Sequence, residues 1–410
     1  MKIDFDFTQR RLIDVWGQGV YASLYDLPGA VGTREMYRHF SMVEFGVNVS
    51  WFSHLTYEQI THTNVRTVLD EQGARFLHDL PAGTTALVRE AKRLGLEVLI
   101  TLDGHVNQAP PLYHSRPPND VHYVPFSRPG RVGKILEVMI DVLEPDVVEF
   151  LNEPYYARDW EGIGADRYSF LCSHLVGVTR SKGIPMLTSG PLHDRKNWQG
   201  EHQTEIMGWH WGVFPPTADP AELYKRTRWL AEMNSAVARK QGKVAWNDEG
   251  AGVGKRARTD TERGAALTEA YISGNFDGGM NAVGILVVGG VSPIHNPAWG
   301  VTMGLVRKDG TITPAGERVI EMSEKYKIKA PIRPVVEPRD PLEGIKLHLE
   351  NLEEALGETI GTSREDLRSL LRMHRNGTFS ESILRAIIRD FRGLKGDVKE
   401  TIQEIRKEIR

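Results

Sequence analysis

Residues 146–156 read DVVEFLNEPYY and residues 243–250 read KVAWNDEG. Each is a short β-rich run that ends abruptly in an amide and a carboxylate. A strand that turns polar only at its end places its chemistry at one edge of a sheet. In a barrel of parallel strands that edge is the C-terminal mouth, where such barrels keep their reactive groups.

Six more runs have the same character: VWGQGVYAS (15–23), GVNVSWFS (46–53), LEVLITLDG (96–104), PMLTSGP (185–191), EIMGWHW (205–211) and AVGILVVGG (282–290). Helical patterns separate many of them. Alternation of strand and helix predicts a parallel sheet with crossover helices, and eight such strands close a (β/α)8 TIM barrel. Helix-end signals agree. A helix over 165–182 stops at Gly183, one over 220–241 opens on a proline and stops at Gly242, and Thr259-Asp-Thr-Glu262 offers a capping box.

Residues 328–341 (IKAPIRPVVEPRDP) are proline-rich and read as an extended linker. Beyond it Ile345, Leu349, Leu352 and Leu356 form a short heptad-like seam, followed by helical patterns over 363–374, 378–391 and 396–409. The expected organisation is therefore a barrel domain over 1–327, a linker over 328–341 and a small all-helical module over 342–410. The module is the expected site of oligomer formation or of docking to a protein partner.

Composition sets the outer limits. The 410-residue chain carries 51 Lys+Arg against 54 Asp+Glu, a formal net charge of -3, which gives no bias toward nucleic acid or an acidic membrane. Its one cysteine, Cys172, sits in an apolar helical pattern and cannot form an intramolecular disulfide. The charged N-terminus lacks a signal-peptide core, and the most apolar run, 283–291, is too short to span a bilayer. A cytoplasmic or otherwise soluble protein is expected. There is no HExxH, Cys cluster, Walker loop, GxSxG or nucleotide fingerprint, so neither a metal nor another cofactor is expected. Asp103 and His105 are the one weak metal alternative.

Strands four and seven stand on opposite sides of a barrel mouth. Glu153 and Glu249, at their ends, can face each other across a bound sugar. Glycoside hydrolysis needs such a pair, one carboxyl to protonate the leaving oxygen and one to attack or to activate water. Asp248 competes with Glu249, because side chains alternate along a strand and only one of the two should enter the mouth. The polar and aromatic groups at the other strand ends then become candidate sugar contacts: Asn152, Tyr155, His105, His210, and the indoles of Trp51, Trp209, Trp211, Trp246 and Trp299.

VVEFLNEPYY resembles the Asn-Glu-Pro signature at strand four of the retaining glycoside hydrolase clan of (β/α)8 barrels that includes cellulases and mannanases. KVAWNDEGAG, LEVLITLDGH, MGWHW and GLVRKDGTITPAGERV resemble the clan's strand-seven, strand-three, strand-six and post-strand-eight segments. The likeness spans roughly residues 15–325. It implies that Glu153 is the general acid/base, that Glu249 is the nucleophile, and that the substrate is a β-linked oligo- or polysaccharide. GVNVSWF departs from the clan at strand two, where Trp51 stands in place of an arginine that supports the nucleophile; Arg66 is a candidate substitute. Strand eight departs too, since its tryptophan, Trp299, comes only in the following loop.

A carbohydrate-binding or structural barrel of a larger assembly, docked through the helical tail, is the alternative function, and a lyase or aldolase a third. If the Ile345–Leu356 seam joins copies of the chain, removing residues 342–410 lowers the number of chains per particle in solution, as light scattering would measure; an unchanged number rules the seam out.

Overall fold

The computed structural model describes residues 3–27, 29–73, 82–103, 129–150, 165–188, 203–210, 217–250, 258–286, 304–307 and 309–328. All belong to the first of two compact units, Met1–Val336 and Glu337–Arg410. Beyond Ile328, the linker and the helical module lie outside the described residues.

Eight parallel strands close a barrel in sequence order. They are β1 (Arg11–Val15), β2 (Met42–Asn48), β3 (Glu97–Asp103), β4 (Val147–Phe150), β5 (Met186–Thr188), β6 (Ile206–His210), β7 (Val244–Glu249) and β8 (Ala282–Leu286). β1 pairs with β8 over five residues, from Arg11 opposite Ala282 to Val15 opposite Leu286, which seals the ring. The described helices are α1 (Gln18–Leu24), α2 (Ala30–Tyr37), α3 (His62–Glu71), α4 (Thr84–Arg93), α5 (Pro129–Leu143), α6 (Ala165–Ser181), α7 (Pro220–Lys240), α8 (Glu262–Asp277) and α9 (Pro314–Lys325). No helix among the described residues is long and apolar enough to cross a membrane. Cys172 is buried on α6.

The expected (β/α)8 architecture is present, with two corrections at its start. The first strand is Arg11–Val15, not 15–23; residues 18–24 of that run are the helix α1. The charged residues that hide β1 are buried because each has a partner. Arg11 grips Glu97 through Nε at 2.6 Å and Nη2 at 3.0 Å, and its Nη1 donates to the carbonyls of Asp6 and Gln9. Asp14 accepts a 2.6 Å bond from the Tyr37 hydroxyl. The phenol's pKa is pushed well up by burial and by the Asp14 charge. The β1–α1 junction turns on Gly17, at φ 59, where a Cβ would fall on the Phe45 ring. The second strand likewise starts earlier than expected, at Met42, and Val49–Phe52 form a 3-10 turn capped by Asn48.

The end signals are largely realised. Pro220 opens α7 behind the N-cap Asp219, and Gly183 and Gly242 both adopt positive φ after their helices. The cap of α8 is Thr261, accepting from the Gly264 N–H, rather than Thr259. Thr259 is buried and donates to the Gly304 carbonyl, tying α8 to the segment before α9.

The barrel floor is one apolar layer with a residue from each strand: Ile13, Met42, Leu99, Val147, Leu187, Ile206, Trp246 and Ala282, with Phe5 and Phe7 packed against it. Arg11 sits beside this layer, its guanidinium 4.2 Å from the Phe5 ring centre. Arg11→Met removes the cation from Glu97 and leaves a largely buried carboxylate unpaired. A loss of about 3–5 kcal/mol is expected, seen as a lower urea midpoint at unchanged slope.

Candidate active site

Side chains two positions further along the strands share the floor residues' inward direction. They are Glu44 on β2, Thr101 on β3, Glu149 on β4, Gly208 on β6, Asp248 on β7 and Gly284 on β8. Apolar packing gives way here to buried polar groups. The Thr101 hydroxyl lies 2.7 Å from Glu149 Oε2 and 3.0 Å from Glu44 Oε1. One hydroxyl hydrogen serves one of these oxygens; the other contact is satisfied when a carboxyl carries a proton.

β7 does not alternate regularly. Gly208 of β6 pairs with Trp246, and His210 pairs with Glu249, so two residues of β6 span three of β7. This is a β-bulge, an extra residue that re-aims the side chains beyond it. Its effect is that Asp248 and Glu249, neighbours in sequence, both reach the His210 ring. Nε2 is 3.2 Å from Asp248 Oδ2, and Nδ1 is 3.3 Å from Glu249 Oε2. The expectation that only one of the two acids enters the barrel is corrected by the bulge.

The site is nearly closed to solvent: side-chain exposure is 4% for His210, 1% for Asp248 and 10% for Glu249. Space for Asp248 comes from its glycine neighbours. A Cβ on Gly208 would lie 2.5 Å from Asp248 Oδ1 and 2.8 Å from Leu187 Cδ1, and one on Gly284 would meet the Asp248 carbonyl. Behind β7, Asn247 points the other way and donates to Asn275 of α8. Tyr271, also on α8, keeps its phenolic proton because burial and the charges of Asp248 and Glu249 all push its pKa well up.

Glu149, His210 and Asp248 bring donor atoms within 4.8 Å of one another, the composition of a cation site. Within this group His210 Nε2 and Asp248 Oδ2 are hydrogen-bonded at 3.2 Å. Glu149 is hydrogen-bonded to Thr101 instead. The side chain of Asp103 and all of His105 are outside the described residues.

The tryptophans divide. Trp209 alternates with the inward His210, so it faces outward and packs with Met207, Ala231, Ala238, Ala245 and Met280 under α7. Trp246 belongs to the barrel floor, with Phe5 6.2 Å away between ring centres. Both are fully enclosed, which corrects their reading as sugar platforms. Trp51 is half-buried in the 3-10 turn after β2. Asn152, Glu153, Tyr155, Trp211 and Trp299 lie outside the described residues. Gly208 and Gly284 were not expected as parts of the site, and Asp248 was weighed only as the alternative to Glu249. The inward-facing period that carries His210 also carries Gly208, but the bulge has no sequence signature.

Gly208→Ala is expected to displace Asp248 from His210. Overpacking at this point costs about 1–3 kcal/mol, measurable by denaturant unfolding, and a crystal structure of the variant would show the longer Asp248–His210 distance.

No family model and no curated protein sequence matches this chain. Solved structures do. A GH5_18 variant from Bifidobacterium longum subsp. longum, in complex with Manβ1-4GlcNAc, is 14% identical with a TM-score of 0.56 over 79% of this chain and 80% of that one. GH5_18 from Streptomyces cattleya, in complex with GlcNAc, is 16% identical with a TM-score of 0.53 over 80% and 82%. The endo-β-1,4-mannanase of Thermotoga petrophila is 12% identical with a TM-score of 0.51 over 81% and 80%. The fold of this chain is the (β/α)8 barrel of those glycoside hydrolases.

Proposed function

We propose that the protein is a retaining glycosidase acting on a β-linked oligo- or polysaccharide. The observation that carries this reading is the position of Glu249: the last residue of β7, at the C-terminal mouth, barely exposed and 3.3 Å from an inward-facing histidine. In a double displacement it attacks the anomeric carbon as the leaving oxygen takes a proton, forming a glycosyl-enzyme ester. Glu153, three residues beyond the end of β4, is the acid for the first step and the base that takes a proton from water in the second. Asn152 is assigned to the sugar's 2-hydroxyl, and Trp51 to a pyranose face.

The barrel likeness supports the same chemistry, since its members include a mannanase and complexes with mannose- and N-acetylglucosamine-containing sugars. β-Mannosides are accordingly the first substrates to try, followed by β-glucosides.

With an activated aryl β-glycoside, Glu249→Ala is expected to lose turnover by a factor of about 10⁴ or more. Sodium azide restores it as a glycosyl azide of inverted anomeric configuration, identified by proton NMR. Glu153→Gln retains attack on the activated substrate but loses unactivated ones. Wild-type turnover in the Glu249 variant removes that residue from the mechanism. Sugar binding with no hydrolysis by the wild type returns the barrel to a binding role.

A further inference from the structure

This inference rests on the reading of Glu249 as the nucleophile. A carboxylate that attacks carbon must be ionised, and burial works against that. In the barrels the sequence resembles, a strand-two arginine supplies the opposing charge; Trp51 occupies that place here. The other candidate, Arg66, lies on the exposed face of α3. Among the described residues, His210 places its Nδ1 3.3 Å from Glu249 Oε2.

The same ring meets a second carboxylate. Nε2 is 3.2 Å from Asp248 Oδ2. A neutral imidazole has one N–H and one lone pair, whereas a carboxylate only accepts. A neutral ring would turn a lone pair toward one of these carboxylates at 3.2–3.3 Å, which is repulsive, so the two acids favour the ring with two protons. Asp248 is fully buried and its Oδ1 has no hydrogen-bond partner, so His210 is what its carboxylate pairs with. We propose that Asp248 holds His210 as an imidazolium, and that this imidazolium is the charge partner that keeps Glu249 ionised and aimed, in place of the strand-two arginine. His210 acts on the nucleophile directly; Asp248 is a positioning residue that acts through it.

The surroundings favour the charged ring. Among the described residues, Glu149 of β4 faces the pair from across the barrel, with a donor oxygen within 4.8 Å of those of His210 and Asp248. It accepts from Thr101, which also contacts Glu44. Tyr271 of α8 is a neutral phenol. No described cation competes with His210 for Asp248. The absence of a side chain at Gly208 leaves the room that lets the Asp248 carboxylate lie against the ring.

Two measurements test the proposal. The first needs no turnover: nitrogen NMR of the full chain labelled at histidine, with His210→Asn assigning the signal. Both ring nitrogens of His210 are expected to be protonated at pH 7, and Asp248→Asn should move loss of the second proton to lower pH. A neutral ring at pH 7 in the wild type overturns the proposal, whether or not any variant folds. The second is the pH dependence of kcat and KM on an aryl β-glycoside. Asp248→Asn should lower kcat at least about tenfold with KM nearly unchanged, and shift the acid limb upward by about one pH unit or more, because Glu249 loses its cation. Asp248→Glu should restore part of both. An unmoved acid limb overturns the proposal. Absence of wild-type turnover, with no azide rescue of Glu249→Ala, would instead overturn the glycosidase reading, and the nitrogen spectrum would still decide the pairing.

Discussion

The interior of a closed eight-strand barrel has a fixed volume, and every inward side chain competes for it. In this protein the competition is resolved in two layers. The floor is filled by eight apolar residues, one per strand, with Trp246 the bulkiest. The layer above has glycine at two inward positions: the volume that Gly208 releases is taken by the Asp248 carboxylate, and Gly284 lets the backbone of Asp248 and Glu249 approach closely. The geometry of His210, and through it of Glu249, depends on that exchange. A methyl group at Gly208 would push on the Asp248 carboxylate, and one at Gly284 on the backbone that joins Asp248 to Glu249.

The second layer poses an electrostatic problem. Glu44, Glu149 and Asp248 are all buried close to the barrel axis, where isolated carboxylates are costly. Each has a partner that eases the cost: the Thr101 hydroxyl between the two glutamates, and the imidazole for Asp248. A protein that needed only stability would fill this layer with aliphatic side chains, as it fills the one below. Concentrating acids directly beneath the mouth gives a local field that attracts and holds protons, which is the environment acid–base chemistry requires.

Much of this was legible in the sequence, and the exceptions have physical causes. Strands three to eight are found within a few residues of their observed limits, because apolar runs bounded by glycine, proline or polar residues mark them. β1 was displaced because Arg11 and Asp14 look solvent-exposed, and only the fold supplies Glu97 and Tyr37 as their partners. The run GQGVYASLY carries β-forming residues yet is a helix, buried from Gln18 to Leu24 and entered through the left-handed Gly17. Tertiary burial outweighed local preference there. Alternation alone separates His210 from Trp209, so the outward packing of that indole was within reach of the sequence. That Trp246 is floor rather than mouth was not, since it shares its face with Asp248 and differs only in depth. Nor was the bulge, because no residue type requires it and only the pairing of Gly208 and His210 with Trp246 and Glu249 shows it.

The bulge and the missing arginine bear on one question. An arginine beside a nucleophile stays charged across the whole working range of pH, so its support is constant. An imidazole titrates within that range unless something fixes its proton. A regular β7 would turn one of Asp248 and Glu249 away from the barrel, leaving His210 a single carboxylate partner. With the extra residue inserted, one ring spans both acids, and the second acid is what makes a titratable cation dependable beside the first. The departure at Trp51 and the irregularity of β7 are thus two parts of one arrangement. On the proposed pairing, the charge that strand two does not carry comes from strand six, and the bulge in strand seven lets one ring reach both acids.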